Sequence, residues 1–155
     1  MHIKERMMLM DINQYIEKRL DPQINWYDKK SMEAQKAYKF FQITEIVLAS
    51  IIPLLTGYSN VHFSIPIIVG IFGAVIAIIE SLTKLYKFHE NWIQYRSTCE
   101  LLKYQKYLYL TNSSPYNDEE ETKGNIFIRN VESIISSENN QWKTINSEKS
   151  SKKKS

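Results

Sequence analysis

The sequence predicts an all-α protein: a two-transmembrane helical hairpin whose long helices extend into a cytoplasmic helical bundle. Three observations predict it. All 20 Lys and Arg of the 155 residues lie outside residues 40–83. That window holds two stretches, 40–55 and 63–79, that are apolar nearly all round, whereas a soluble surface helix shows a single apolar stripe. Proline, the strongest helix breaker, is absent from 23–52 and from 67–114. The alternative reading of the window is a buried helical hairpin inside a soluble domain.

At the start of the chain, the run Met7-Met8-Leu9-Met10 is too short for the apolar region of a signal peptide. Asp11 is placed to cap a short helix, with Gln14 at the capping-box position. Ile12, Tyr15, Ile16 and Leu20 then share one face. Asp21-Pro22 reads as a cap followed by proline at the first helical position, opening a long helix from 22 to about 55. Residues 1–39 form the cytoplasmic helices, and 40–56 form the first transmembrane helix, with Pro53 bending its outer end.

Residues 57–62 form the external loop, and 63–83 the second transmembrane helix, starting near Ser64-Ile65-Pro66. Its 63–79 run has 17 uncharged residues, about 25 Å of helix at about 1.5 Å per residue. That is the short end of the spanning range. Lys36 and Lys39 precede the first span, and Lys84 and Lys87 follow the second. Tyr38, Phe40, Phe41, Tyr86 and Phe88 stand beside them like an interfacial aromatic belt. The loop between the spans has no Lys or Arg, which places both termini in the cytoplasm of a multi-pass cell-membrane protein.

With no proline before Pro115, the second helix is expected to continue unbroken to about Leu110. Residues 111–117, containing Ser113-Ser114-Pro115, form a loop. The acidic run 118–121 suits a helix N-terminus. A last helix covers about 125–141, with Phe127, Val131, Ile134 and Ile135 on one face. Residues 84–146 are therefore cytoplasmic helices, and 147–155 a disordered basic tail.

The net charge of +3 resides in that tail, which holds four Lys and one Glu. The basic balance therefore does not imply a nucleic-acid partner. The single Cys99 excludes an intramolecular disulfide, and no Cys/His spacing resembles a zinc site. His89-Glu90 begins like a zinc-protease motif, but Ile93 stands where the second His is needed. Neither a phosphate-binding glycine loop nor a nucleophile elbow is present. Asn112-Ser113-Ser114 matches a glycosylation acceptor on the wrong side of the membrane. We expect no catalytic residue, no metal and no cofactor. The expected partners are the lipid bilayer, inorganic cations and other copies of the chain. Lys152-Lys153-Lys154 either touches anionic lipid or is solvated.

Glu45 and Glu80 are the only acids within 40–83. In a hairpin both sit near the cytoplasmic mouth. A carboxylate in a spanning segment costs about 2.5–3.5 kcal/mol at the centre and less near the edge, so something must offset it. One reading is a collar of carboxylates around an oligomer axis that concentrates cations. Gln42, Glu45, Ala49 and Thr56 lie on one helical stripe that can line a water path, with Ile52 as an apolar constriction. The other reading is local pairing: Glu80 with Lys84 at i,i+4, and Glu45 with a neighbouring helix. Gly70, Gly73, Ala74 and Ala77, with Ser81, put small residues on the second span, permitting close packing within the hairpin or between subunits. Arg96 and Glu100 are spaced i,i+4, and Asp28 is positioned to pair with Arg96 across the bundle. These three read as structural ion pairs. The modest cytoplasmic core and the polar residues in the spans both point to a homo-oligomer.

Several strings carry a family resemblance. They are Gln23-Ile24-Asn25-Trp26-Tyr27-Asp28 with Lys30-Ser31, then Ser50-Ile51-Ile52-Pro53-Leu54-Leu55. The most specific runs from Leu85-Tyr86-Lys87-Phe88-His89-Glu90-Asn91-Trp92 through Arg96-Ser97-Thr98 to Glu100-Leu101-Leu102-Lys103. Tyr107-Leu108-Tyr109 and the pattern Phe127, Val131-Glu132, Glu138 and Trp142 follow. Over about 12–142 the chain resembles the bacterial membrane family known as domain of unknown function 4231, within the SLATT group of two-transmembrane domains. That resemblance implies a pore-forming effector of a bacterial conflict system and supplies no catalytic residue. Together these readings favour a homo-oligomeric, cation-favouring pore or channel. The alternative is a membrane-anchored scaffold or partner-binding module without a conducting path.

Overall fold

The computed structural model describes residues 12–58, 63–117 and 119–152, and the side chains of these except 120, 121 and 139–152. The expectations for Met7–Met10, Asp11, the loop centre 59–62, Asp118, Lys153 and Lys154 lie outside the described residues, as do the side chains of Trp142 and Lys152. Every regular element among the described residues is helical: α1 (Ile12–Thr56), α2 (Ile65–Tyr86), α3 (Phe88–Leu110) and α4 (Glu120–Lys152). The chain divides into two compact units. One holds the residues up to Lys29 and from Tyr95 onward; the other is Lys30–Gln94.

The helix α1 does not restart at Asp21-Pro22 as the capping signal suggests. It runs through, with a π turn at Ile16–Leu20 where the Asp21 N–H reaches back to the Ile16 carbonyl. Pro22 lacks an N–H, and its ring would crowd the carbonyl four residues back. One widened turn absorbs that conflict without ending the helix.

The first unit is a three-helix bundle. Along α1, Tyr15 and Arg19 meet Glu132 and Tyr27 meets Glu138, so α1 and α4 run parallel. Asp21 meets Lys106 and Asp28 meets Arg96, so α3 runs antiparallel to α1. Ile12, Ile16, Leu20, Ile24 and Tyr27 recur at helical spacing and are buried against Cys99, Leu102 and Tyr109 of α3 and Phe127, Val131 and Ile135 of α4. Each large apolar side chain so buried contributes about 1.5–3 kcal/mol. Tyr15 and Ile134, expected on these faces, are half-buried at the core edge. At the end of the bundle, Phe127 stacks on Tyr109 at 4.4 Å and meets Tyr116 edge-on.

The turn after α3 follows from Asn112. Its φ of 50° is left-handed. Its N–H bonds the Tyr109 carbonyl, and the Ser113 N–H bonds that of Leu108. This pair of bonds closes a helix C-terminus, and asparagine tolerates the conformation better than most residues. The side chain of Asn112 is also engaged, accepting a 2.7 Å bond from the buried Lys123.

Helix α4 begins at Glu120, five residues before the expected start, and carries Gly124 inside it. A Cβ at Gly124 would stand 3.2 Å from Ile12 Cδ1, so the glycine leaves room for the Ile12 side chain of α1. The helix continues to Lys152 and so takes in residues 147–152 of the tail expected to be disordered.

The second unit is a helical hairpin. Phe41 stacks on Phe88 at 5.6 Å, and Tyr38 lies against His89 and Trp92. Partners on the second arm retreat as α1 advances, which is the antiparallel register. Here the expected unbroken helix to Leu110 is corrected: Lys87 takes φ 50°, ψ 44° and separates α2 from α3. The Asn91 amide donates 3.0 Å to the Tyr86 carbonyl beside the break, supplying a partner for a group at a helix end.

Candidate functional site

Two helical stretches are long and apolar enough to cross a membrane, Ile12–Thr56 (α1) and Ile65–Leu110, which joins α2 and α3 across Lys87; their most apolar windows are 0% and 11% buried. A core helix of a water-soluble domain would hide that surface. Instead Phe40, Ile43, Leu54, Ile67, Ile71 and Ile78 are each more than half exposed. Hydroxyls in these segments bond carbonyls of their own helix: Thr44 to Phe40, Ser50 to Ile46, Thr56 to Ile52 and Ser81 to Ala77, all within 2.8 Å. Those polar groups are satisfied without water, which suits a hydrocarbon environment.

Within this apolar belt, Gln42, Glu45 and Ile52 are half-buried, whereas Ala49 and Thr56 are exposed. The Thr56 hydroxyl is already committed to Ile52, which leaves the outer end of the predicted stripe less polar than its composition suggests. Glu80 Oε1 accepts from Lys84 Nζ at 2.8 Å. Continuing the hairpin register from Phe41–Phe88 sets Glu45 near Lys84. Its carboxylate joins that of Glu80 in pushing the Lys84 ammonium up, the Glu80 hydrogen bond being the larger cause. The structure therefore brings Glu45, Glu80 and Lys84 to one level of the hairpin.

Of the two kinds of packing expected for the small residues of α2, the structure lacks the one within the hairpin. Gly70, Gly73, Ala74 and Ala77 are exposed. A Cβ added at Gly70 or Gly73 would meet nothing within 4 Å. They do not serve close packing inside this hairpin, because larger neighbours on α2, among them the buried Ile79, take the shielded positions.

In the bundle, Arg96 Nη1 lies 3.2 Å from Asp28 Oδ1, and Arg96 Nη2 lies 2.9 Å from Glu100 Oε1. Lys103 joins both acids at 3.7 and 3.4 Å. Cys99 beneath this network donates a long bond to the Ile24 carbonyl, and burial pushes its thiol up. A buried thiol of raised pKa is inert rather than nucleophilic.

A second polar set escapes sequence reasoning. Tyr15 Oη and the Arg19 guanidinium converge on Glu132, and the Arg19 hydrogen bond holds that carboxyl below the usual range. Tyr27 Oη donates to the buried Glu138 at 2.7 Å. Glu132 and Glu138 fall six residues apart on α4, and nothing local in the sequence announces their partners on α1. Beside them Arg19, Pro22, Gln23, Trp26, Tyr27, Ile135 and Glu138 line an open cleft of about 460 Å³. Among the described residues, no group of three or more His, Cys, Asp or Glu is placed to hold a metal ion.

Comparison with curated proteins and with solved structures yields no match. The family model described as Protein of unknown function (DUF4231) matches residues 22–124. That stretch takes in most of α1, all of α2 and α3, the Lys84 level and the Asp28–Arg96 network. It is two thirds of the sequence, and the chain belongs to that family.

Proposed function

We propose that residues 40–56 and 63–83 cross the cell membrane as a hairpin, and that several copies of the chain assemble into a cation-favouring pore. In this reading the protein is a conduit rather than an enzyme. The observation that supports it is an exposed apolar belt holding two carboxylates, Glu45 and Glu80, at one level. In water such a belt would be an aggregation surface. In lipid it is covered, and an aqueous mouth at the carboxylate level removes the cost of burying them. Gln42 and Ile52 would line the path beside Glu45, and both termini would face the cytoplasm. The test is conductance of the purified protein in planar bilayers. Current with a cation preference that falls in Glu45→Gln is expected; absence of current under all conditions would overturn the reading.

A second reading is a membrane-anchored partner-binding module. It is favoured by the cleft beside Tyr27 and Glu138, at whose edge Trp26 is 46% exposed. A stable complex with a cytoplasmic partner, lost in Trp26→Ala, together with no conductance, would select it.

A further inference from the structure

We infer that Lys84 is the selectivity-setting residue of this mouth: a tethered cation that neutralises half of its fixed negative charge. The inference rests on the pore reading and deepens it by naming what tunes the preference for cations.

The geometry is specific. Lys84 and Glu80 lie one helical turn apart, with Nζ and Oε1 2.8 Å apart. The lysine side chain is 75% exposed and the glutamate 46%. The pair therefore lies on the surface of the single chain rather than locked in a core, and on the pore reading it is open to ions and water at the mouth. Glu45 reaches the same level from the other arm through the antiparallel register fixed by Phe41–Phe88. At this level each subunit thus brings two carboxylates and one ammonium, a net of one negative charge, with Lys39 and Lys87 beyond it on the cytoplasmic side.

This arrangement has a consequence for ions. A ring of like charge in a low-dielectric surround concentrates counter-ions, and its strength follows the net charge. Lys84 competes with a mobile cation for Glu80. It lowers the local field without closing the path, because an exposed lysine side chain is flexible. Lys87, three residues on, is a less suitable candidate, because its backbone is turned at the helix break.

The experiment is reversal-potential measurement on the full chain in planar bilayers under a KCl gradient, in four forms. With wild type conducting, Lys84→Gln doubles the net negative charge and should raise the cation-to-anion permeability ratio about two- to ten-fold at low salt, less at high salt. Glu80→Gln leaves Glu45 balanced by Lys84 and should bring the ratio close to one. The double substitution Glu80→Gln/Lys84→Gln restores one net negative charge and should return the ratio to the wild-type range. A merely structural role for the pair would not produce that compensation. Wild-type current with an unchanged ratio in Lys84→Gln would overturn the inference and leave the pore reading standing; no wild-type current would overturn both.

Discussion

Tyr27 donates a 2.7 Å hydrogen bond to Glu138 across 111 residues of sequence, and both side chains are buried. The bond ties the bundle part of the long helix α1 to α4. It closes one side of the cleft. Tyr27→Phe leaves a buried carboxylate short of a donor and should destabilise the bundle by about 1–3 kcal/mol. Thermal unfolding in detergent checks this, with Trp26→Phe as a half-exposed comparison expected to change little.

The tyrosines also predict alkaline behaviour. Burial, then a hydrogen bond to a glutamate, pushes both Tyr15 and Tyr27 far above the ordinary phenol value. A raised folded pKa means that the folded chain keeps protons the unfolded chain loses. The contribution is complete below about pH 10, the ordinary tyrosine value, and is lost as pH rises above it. Ultraviolet titration should show these tyrosines ionising only with unfolding. Independent early ionisation of all ten tyrosines would contradict the buried pairs.

At the acid end the sign reverses. Arg19 and Tyr15 hold the Glu132 carboxyl below its usual range. Its stabilising contribution is present above about pH 4.3 and fades as pH falls through the lower folded value. Glu132→Gln should flatten the loss of stability below pH 4, seen by circular dichroism. Because Arg19 and Glu132 are each about 40% exposed or more, the effect is small.

Gly124 predicts a size limit. Its Cβ position is 3.2 Å from the tip of Ile12. Gly124→Ala sets a helix-propensity gain of about 1 kcal/mol against that contact and should be near neutral. Gly124→Leu should cost about 1–3 kcal/mol by overpacking. Equal stability of the two variants would mean α1 does not approach α4 there.

Lys87 predicts the opposite kind of response. A non-glycine residue in the left-handed region costs about 1–2 kcal/mol. Lys87→Gly should therefore raise thermal stability, by about 1 kcal/mol or less once the added freedom of the unfolded chain is counted. Lys87→Val should lower it. A continuous helix through residue 87 would reverse that order.

What was legible in the sequence follows from range. The missing basic residues of 40–83 and the proline-free runs mark the long helices directly, and the end near Leu110 is signalled by the loop chemistry that follows. Arg96 and Glu100 show their pairing through i,i+4 spacing. Lys87 carries no such mark: no glycine or proline stands there, and the break is visible only with Asn91 folded back onto Tyr86. The π turn is hidden because Asp21-Pro22 also reads as an ordinary helix start. Tyr27–Glu138 and Arg19–Glu132 depend on α4 running parallel to α1, a packing choice set by the whole bundle. The openness around Gly70 and Gly73 is likewise decided by which face of α2 turns to α1, not by their composition.

Membrane insertion underlies the proposed function, and it can be measured without knowing any ligand. Membranes from cells producing the full chain are washed with alkaline carbonate and then extracted with detergent. The chain should stay with the membranes through the wash and enter solution only with detergent. Recovery as a folded, monodisperse protein in detergent-free buffer would contradict it.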